Sequence, residues 1–269
     1  MARWYLLDDD PAPAAENMAK DELLFDRASL GEAAPVLRLY RFEPSAVTIG
    51  CHQDAERILD VEALRADGVE WVRRITGGRA LLHEGELTYC LVAPTGSLAT
   101  GAGLEGTYLT ISQALRDALR SVGVEAEISR GRDHASPTGV APPCLCSASR
   151  HELTARGRKI AGSAQRRRAS ALLQHGSILL SPGSVRIARY VRGAWGPFER
   201  RVTSVSEELG AAVDATTLRS ALARSFSERF DVEWEALSLS RGEEAEVRRR
   251  AAEKRRDAAA SVAEEVSSP

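Results

Sequence analysis

The chain reads as an α+β domain, a mixed central β-sheet with flanking helices. Strand-like and helix-like runs follow one another along its 269 residues without a regular strand–helix–strand rhythm. One segment, 106–122, has a clear helical period, and several four-to-nine-residue runs rich in Val, Leu, Ile and Tyr read as strands. No internal repeat or interdomain linker interrupts this pattern. Residues 1–240 therefore read as one domain, and 241–269 as a charged C-terminal helix with a frayed tail, not a separate domain.

The elements follow in order. Residues 14–27 read as a helix, with Asn17, Lys20 and Asp21 on a polar face and Met18, Leu23 and Leu24 partly inward. Val36 to Tyr40 and Ala46 to Ile49 are short strands parted by a turn at Glu43-Pro44-Ser45. Residues 55–66 read as one helix stopped by Gly68. Val69 to Ile75 is a strand, Thr76-Gly77-Gly78 turns the chain into Arg79 to Leu82, and Leu87 to Ala93 continues the sheet.

In the helix over 106–122, Ile111, Leu115, Ala118, Leu119 and Val122 share one face, and Gly123 ends it. Val124 to Ile128 reads as a strand and 129–143 as a loop. Lys159 to Ala164 and Ala171 to Leu180 read as strands flanking a turn at Arg166-Arg167-Arg168. Residues 215–230 form a helix with Leu218, Leu222, Phe226 and Phe230 inward. Beyond Ser240 the pairs Glu244–Arg248 and Glu246–Arg250 favour a solvated helix, fraying after Ala258.

Composition narrows the function. Hydrophobic residues make up 43% and charged residues 28%, and the net charge is -2, so no global field favours nucleic acid or a membrane surface. No apolar run is long enough to span a bilayer. Acids arrive at residues 8–10, too early for a secretory signal, and four cysteines are too few for a disulfide framework. The expectation is a cytoplasmic protein with reduced thiols.

The chemistry concentrates in Pro143-Cys144-Leu145-Cys146 through Leu153, followed by Gly157-Arg158-Lys159-Ile160-Ala161-Gly162-Ser163. A thiol is a nucleophile when partly thiolate, and a nearby cation promotes that form. Cys144 and Lys159 stand fifteen positions apart, so thioester chemistry is one reading. A lone cysteine is more often a small buried hydrophobe, and a lone lysine a solvated one. Cys144-x-Cys146 has the spacing of half a zinc site, but no second pair stands nearby and the histidines are scattered, so no metal is expected. His83 reads equally as structural or pocket-lining, and His175 as structural. Arg150, Arg156, Arg158, Lys159, Arg166, Arg167 and Arg168 form either a solvated loop or a docking surface for an acidic protein.

The string Arg73-Arg74-Ile75-Thr76-Gly77-Gly78-Arg79-Ala80-Leu81-Leu82-His83-Glu84 is more specific. It resembles the acyl-binding motif of the lipoate–protein ligase and octanoyltransferase superfamily. The resemblance extends to Glu16–Glu22, Val47–Gln53, Glu86–Cys90, Gly157–Gln165 and Gln174–Leu179, leaving out only the last thirty or so residues. It implies the catalytic-domain fold of biotin and lipoate protein ligases. It places Arg73, Arg74, Thr76, Gly77, Gly78, Arg79, His83, Gly162 and Ser163 at the substrate and Lys159 at the reacting centre.

The cysteine selects the branch. Cysteine-dependent octanoyltransferases place Cys before Ser-x-x-Glu-Leu, fifteen residues ahead of the lysine, and here that counts to Cys144 rather than Cys146. The resemblance then implies octanoyl transfer from octanoyl-acyl carrier protein to a lysine of a lipoyl domain, in the glycine cleavage H protein or a 2-oxoacid dehydrogenase E2. It implies a Cys144 thioester and no cofactor, metal or ATP. Leu145 departs from the aromatic residue usual after the cysteine, and Cys90 stands where serine is common. An ATP-dependent lipoate or octanoate ligase, an amidotransferase between lipoyl domains and a non-catalytic acyl-binding protein are the alternatives.

Overall fold

The structure, a computed structural model, describes residues 2–31, 33–98, 103–131, 151–193 and 198–266. An eight-stranded mixed sheet forms its centre. In chain order the elements begin β1 (Ala2–Asp8), α1 (Ala14–Ser29), β2 (Val36–Tyr40), β3 (Ala46–Ile49), α2 (Ala55–Ile58), α3 (Val61–Ala66) and β4 (Glu70–Arg73). They continue with β5 (Leu81–His83), β6 (Glu86–Pro94), α4 (Gly103–Ser121), β7 (Ala126–Ile128), β8 (Leu153–Ala155), β9 (Arg158–Arg167) and β10 (Ala171–Leu179). Two 3-10 turns, Pro182–Arg189 and Phe198–Arg201, lead to α5 (Val205–Leu209), α6 (Ala215–Phe230), β11 (Val232–Ala236) and α7 (Arg241–Val266).

The large sheet has the order β11-β1-β2-β6-β10-β9-β8-β7, and a small sheet the order β4-β3-β5. β1 lies parallel to both β11 and β2, while β2–β6, β6–β10 and β10–β9 are antiparallel. Period-two alternation sorts the strand residues between two layers. Leu37 and Leu39 of β2 and Leu87, Tyr89 and Leu91 of β6 pack with α4 and α6 through Ile111, Leu115, Leu222 and Phe226. Val36, Tyr40, Cys90 and Val92 face the other way, onto Met18, Leu24 and Phe25 of α1. The mixed sheet with helices on both sides is the expected α+β class.

Several elements differ from the sequence reading. The helix expected over 55–66 is two, because Leu59 is extended (ψ 140°) and the Asp60 side chain caps α3 by accepting Ala63 N–H at 3.0 Å. The reading left out three strands, β1, β8 and β11. Arg166 and Arg167 belong to β9, and the hairpin turns one step later, where Arg168 N–H donates to Ala171 O at 2.8 Å.

α7 is helical to Val266. It is not wholly solvated. Val247 and Ala251 are buried against Ala15, Ala19 and Leu23 of α1, and ion pairs Arg27–Glu243, Arg250–Asp26 and Lys254–Glu22 flank that seam. Among the described residues no helix is long and apolar enough to cross a membrane.

Candidate active site

The small sheet sits over β2, β6, β10 and β9, and a cleft opens between them. Met18, Tyr40, Leu81 and Ala164 supply apolar wall, and His83, Thr88, His175 and Ser177 a polar floor. Backbone of Gly78, Gly162 and Gly176 completes it.

The glycine turn is held by the second of the two arginines before it, and the first holds the turn after β3. Arg74, 6% exposed, donates to Gly77 O and Arg79 O, both at 2.9 Å, and to Thr48 Oγ1 at 3.0 Å. Arg73 donates to Gly50 O at 3.2 Å and to Gln53 O. The Arg74 guanidinium therefore shapes backbone at the cleft, while Arg73 lies outside its lining. Gly78 has φ +94°, a conformation favouring glycine, whereas a Cβ on Gly77 would meet nothing within 4 Å. The unforeseen requirement is at Gly50, where a Cβ would run into the carbonyl of Gly78.

Under the turn lies a charged network that the polar-face reading of α1 missed. Asn17 and Asp21 are fully buried, not solvated. Arg38 of β2, also buried, donates to Asp21 Oδ1 at 2.7 Å, Asn17 Oδ1 at 2.6 Å and Asp9 Oδ2 at 2.8 Å. Tyr40 donates to Asp21 Oδ2 at 2.8 Å, and His175 Nδ1 lies 2.9 Å from the same oxygen. Burial pushes the Asp21 carboxyl up, but the His175 hydrogen bond and the Arg38 charge outweigh it and hold it below the usual carboxylate range. Burial lowers His175, so the imidazole is neutral, donating to Asp21 from Nδ1 and accepting from Thr76 Oγ1 at Nε2, 2.7 Å away. Thr76 and His175 thus tie the glycine turn to α1.

His83 meets Thr48 Oγ1 at 2.8 Å and the Glu86 carboxylate, and stacks on Phe42 with centroids 3.8 Å apart. It is a held residue that also lines the cleft.

Lys159 opens β9, 2% exposed, with Nζ 2.8 Å from Glu152 Oε1. A register slip places it there. Leu153 faces Ala161 but Thr154 faces Lys159, so Ile160 is an extra residue. Strict alternation would put Lys159 on the side of Ala161. Instead Ile160 and Ala161 both enter the core under α4, and the lysine amine lies beside Gly162. A Cβ on Gly162 would stand 2.9 Å from Lys159 Cε, so glycine leaves room for the side chain. Ser163 turns its hydroxyl to Tyr89, at 2.7 Å, and its carbonyl accepts from Tyr108 of α4 at 2.9 Å. Only part of Ser163 reaches the cleft edge.

Cys144 and Cys146 lie outside the described residues. Burial pushes the Cys90 thiol up, and it packs inertly beside Asp21. Ligand atoms of Asp21, Cys90 and His175 lie within 4.8 Å of one another. Both Asp21 oxygens already accept from Arg38, Tyr40 and His175, and the thiol stays protonated, so this donor set does not fit a cation.

The basic cluster read between 150 and 168 divides. Arg156 and Arg158 pair with Glu208 at one end of β9, and Lys159 with Glu152. At the other end Arg166 donates to Ile75 O, Arg167 to Gln165 and Gly103 O, and Arg168 to Asp26. Arg150 lies outside the described residues.

A sheet-floored cleft with a glycine turn over it, and a buried lysine amine beside the Gly162 that lines it, marks a catalytic domain of the lipoyl-ligase kind. Residues 13–227 match the lipoyl protein ligase A/B catalytic domain, and the chain belongs to that family. It is 41% identical over 235 residues to an octanoyltransferase LipM of Symbiobacterium thermophilum, covering 83% of this chain and 85% of that protein. Its identity to the octanoyltransferase LipM of Moorella thermoacetica is 33% over 248 residues, covering 89% and 91%. The solved T. acidophilum lipoate protein ligase with bound lipoic acid superposes with a TM-score of 0.76 at 25% identity, covering 93% of this chain and 94% of that one.

Proposed function

We propose that this protein is an octanoyltransferase of lipoate biosynthesis, moving an octanoyl group onto a lysine of a lipoyl domain. Octanoyltransferases LipM that align over most of the chain support the octanoyl group and the transfer. The observation that carries the reading within this molecule is the buried Lys159 amine beside Gly162, whose backbone lines the cleft.

The reaction runs in two half-reactions. Cys144 thiolate adds to the carbonyl of octanoyl-acyl carrier protein, the carrier's C–S bond breaks, and its thiolate leaves. The acceptor lysine, as free amine, then adds to the new thioester. It gives up a proton to solvent water as the amide forms, and Cys144 leaves as thiolate. Lys159 supplies the positive charge that favours the thiolate and steadies the acyl oxygen. The glycine turn, with Arg74 holding the Gly77 carbonyl, shapes the acyl cleft. The acceptor is the H protein or an E2 lipoyl domain, and the place of action is the cytoplasm.

Intact mass after incubation with octanoyl-acyl carrier protein, without ATP, tests this. A hydroxylamine-sensitive octanoyl adduct on Cys144, absent in Cys144→Ala, is expected. No adduct with a competent carrier, but pyrophosphate release from ATP and octanoate, would replace the scheme with a ligase.

A further inference from the structure

The chain has three lysines, Lys20, Lys159 and Lys254, and each meets a carboxylate. The Lys20 and Lys254 side chains keep 14% and 13% of their surface in solvent, whereas that of Lys159 keeps 1% and its partner Glu152 4%. A buried ammonium without a counter-charge is strongly disfavoured, and a flexible four-carbon stem does not hold one position unaided.

Resting on the octanoyl-transfer reading, we infer that Glu152 is the positioning residue for Lys159, its carboxylate holding the ammonium at one point beside Gly162 so that its charge acts on the reacting sulfur. Three observations build this. Glu152 Oε1 and Lys159 Nζ are 2.8 Å apart, the length of a charge-assisted hydrogen bond. Gly162 is shaped to the pair, for a Cβ there would lie 3.0 Å from Nζ and 3.3 Å from Oε1. Backbone anchors fix both partners. Ser129 N–H donates to Glu152 O at 2.8 Å, and Thr203 N–H to Lys159 O at 2.9 Å. A carboxylate and an ammonium held at both ends and fitted against a glycine form a rigid unit. Glu152 makes no bond to substrate in this scheme; it acts through Lys159.

The test is a double-mutant cycle on octanoyl-enzyme formation, using the full chain and octanoyl-acyl carrier protein. Glu152→Gln should slow acylation about 10–100-fold at unchanged KM for the carrier, the scale of a displaced catalytic group. Combined with Lys159→Ala it should cost nothing further, because the two act as a unit. A full rate in E152Q, or an additive loss in the double variant, overturns the inference. A second readout needs no turnover. With lysine labelled at Cε, three signals report the whole chain, and the two ε protons of a fixed Lys159 are inequivalent. They should converge in E152Q; an unchanged Lys159 signal overturns the pairing. Should E152Q fail to fold, Glu152→Asp keeps the charge with shorter reach and should still lose rate, and a full rate there is equally fatal. If the wild type forms no adduct, the octanoyl-transfer reading falls, while the lysine signal still decides the pair.

Discussion

His175 donates its Nδ1 proton to Asp21 across 2.9 Å, joining the central strand β10 to helix α1 beneath the cleft. The folded protein binds this histidine neutral. Its stabilising contribution is therefore complete above the ordinary value of 6.5 and is lost as pH falls through the lowered value in the fold. Asp21, also lowered, adds a second loss below its ordinary 3.8. Urea midpoints should drop between pH 7.5 and 5 in the wild type. His175→Gln should be less stable at pH 7.5 but show a flatter slope over that interval. An equal slope in both proteins would remove His175 from this role.

The neighbouring ion pair makes a larger prediction. Arg38 Nη1 lies 2.7 Å from Asp21 Oδ1 with neither side chain reaching water. Asp21→Ala leaves a buried guanidinium with part of its counter-charge gone and should cost about 3–5 kcal/mol in urea unfolding. A loss under about 1 kcal/mol would mean that Asp9, the other acid on Arg38, suffices.

The glycines around the turn should respond unequally. Gly50→Ala drives a methyl into the Gly78 carbonyl and should cost about 1–3 kcal/mol and reduce octanoyl transfer. Gly77→Ala, with open space at its Cβ, should leave the melting temperature nearly unchanged. Equal behaviour of the two variants would show that the turn adapts.

Along α7, burial should outweigh charge. Arg250→Ala and Lys254→Ala each break a pair near the surface and should cost about 1 kcal/mol or less. Val247→Asp puts a charge into the seam with α1 and should release the helix to protease while the remaining fold persists. Protection of α7 in V247D would contradict this.

The helix over 215–230 and the strand cores were legible because their apolar period is local. The glycine string was legible as a resemblance, and the structure gathers Arg74, Gly78, His83, Gly162 and the Ser163 backbone around one cleft. Asp21 was not legible: its partners Arg38, Tyr40 and His175 come from two distant strands, so along α1 it looks like any exposed acid. Glu152 stands in the Ser-x-x-Glu-Leu run of the resemblance, but its pairing with a lysine seven positions on was hidden until a bulge turns the two together. β8 is three residues long and stands only because β7 and β9 flank it.

The pairing of β11 with β1 carries a consequence for how the protein is made. Ala2 lies beside Val232, so β1 has one long edge without its sheet neighbour until β11 has been translated. An edge left open that long is a template for pairing with other nascent chains, and closing it spans the longest sequence separation in the sheet. Expression yield should therefore depend on β11 more than its distance from the cleft suggests.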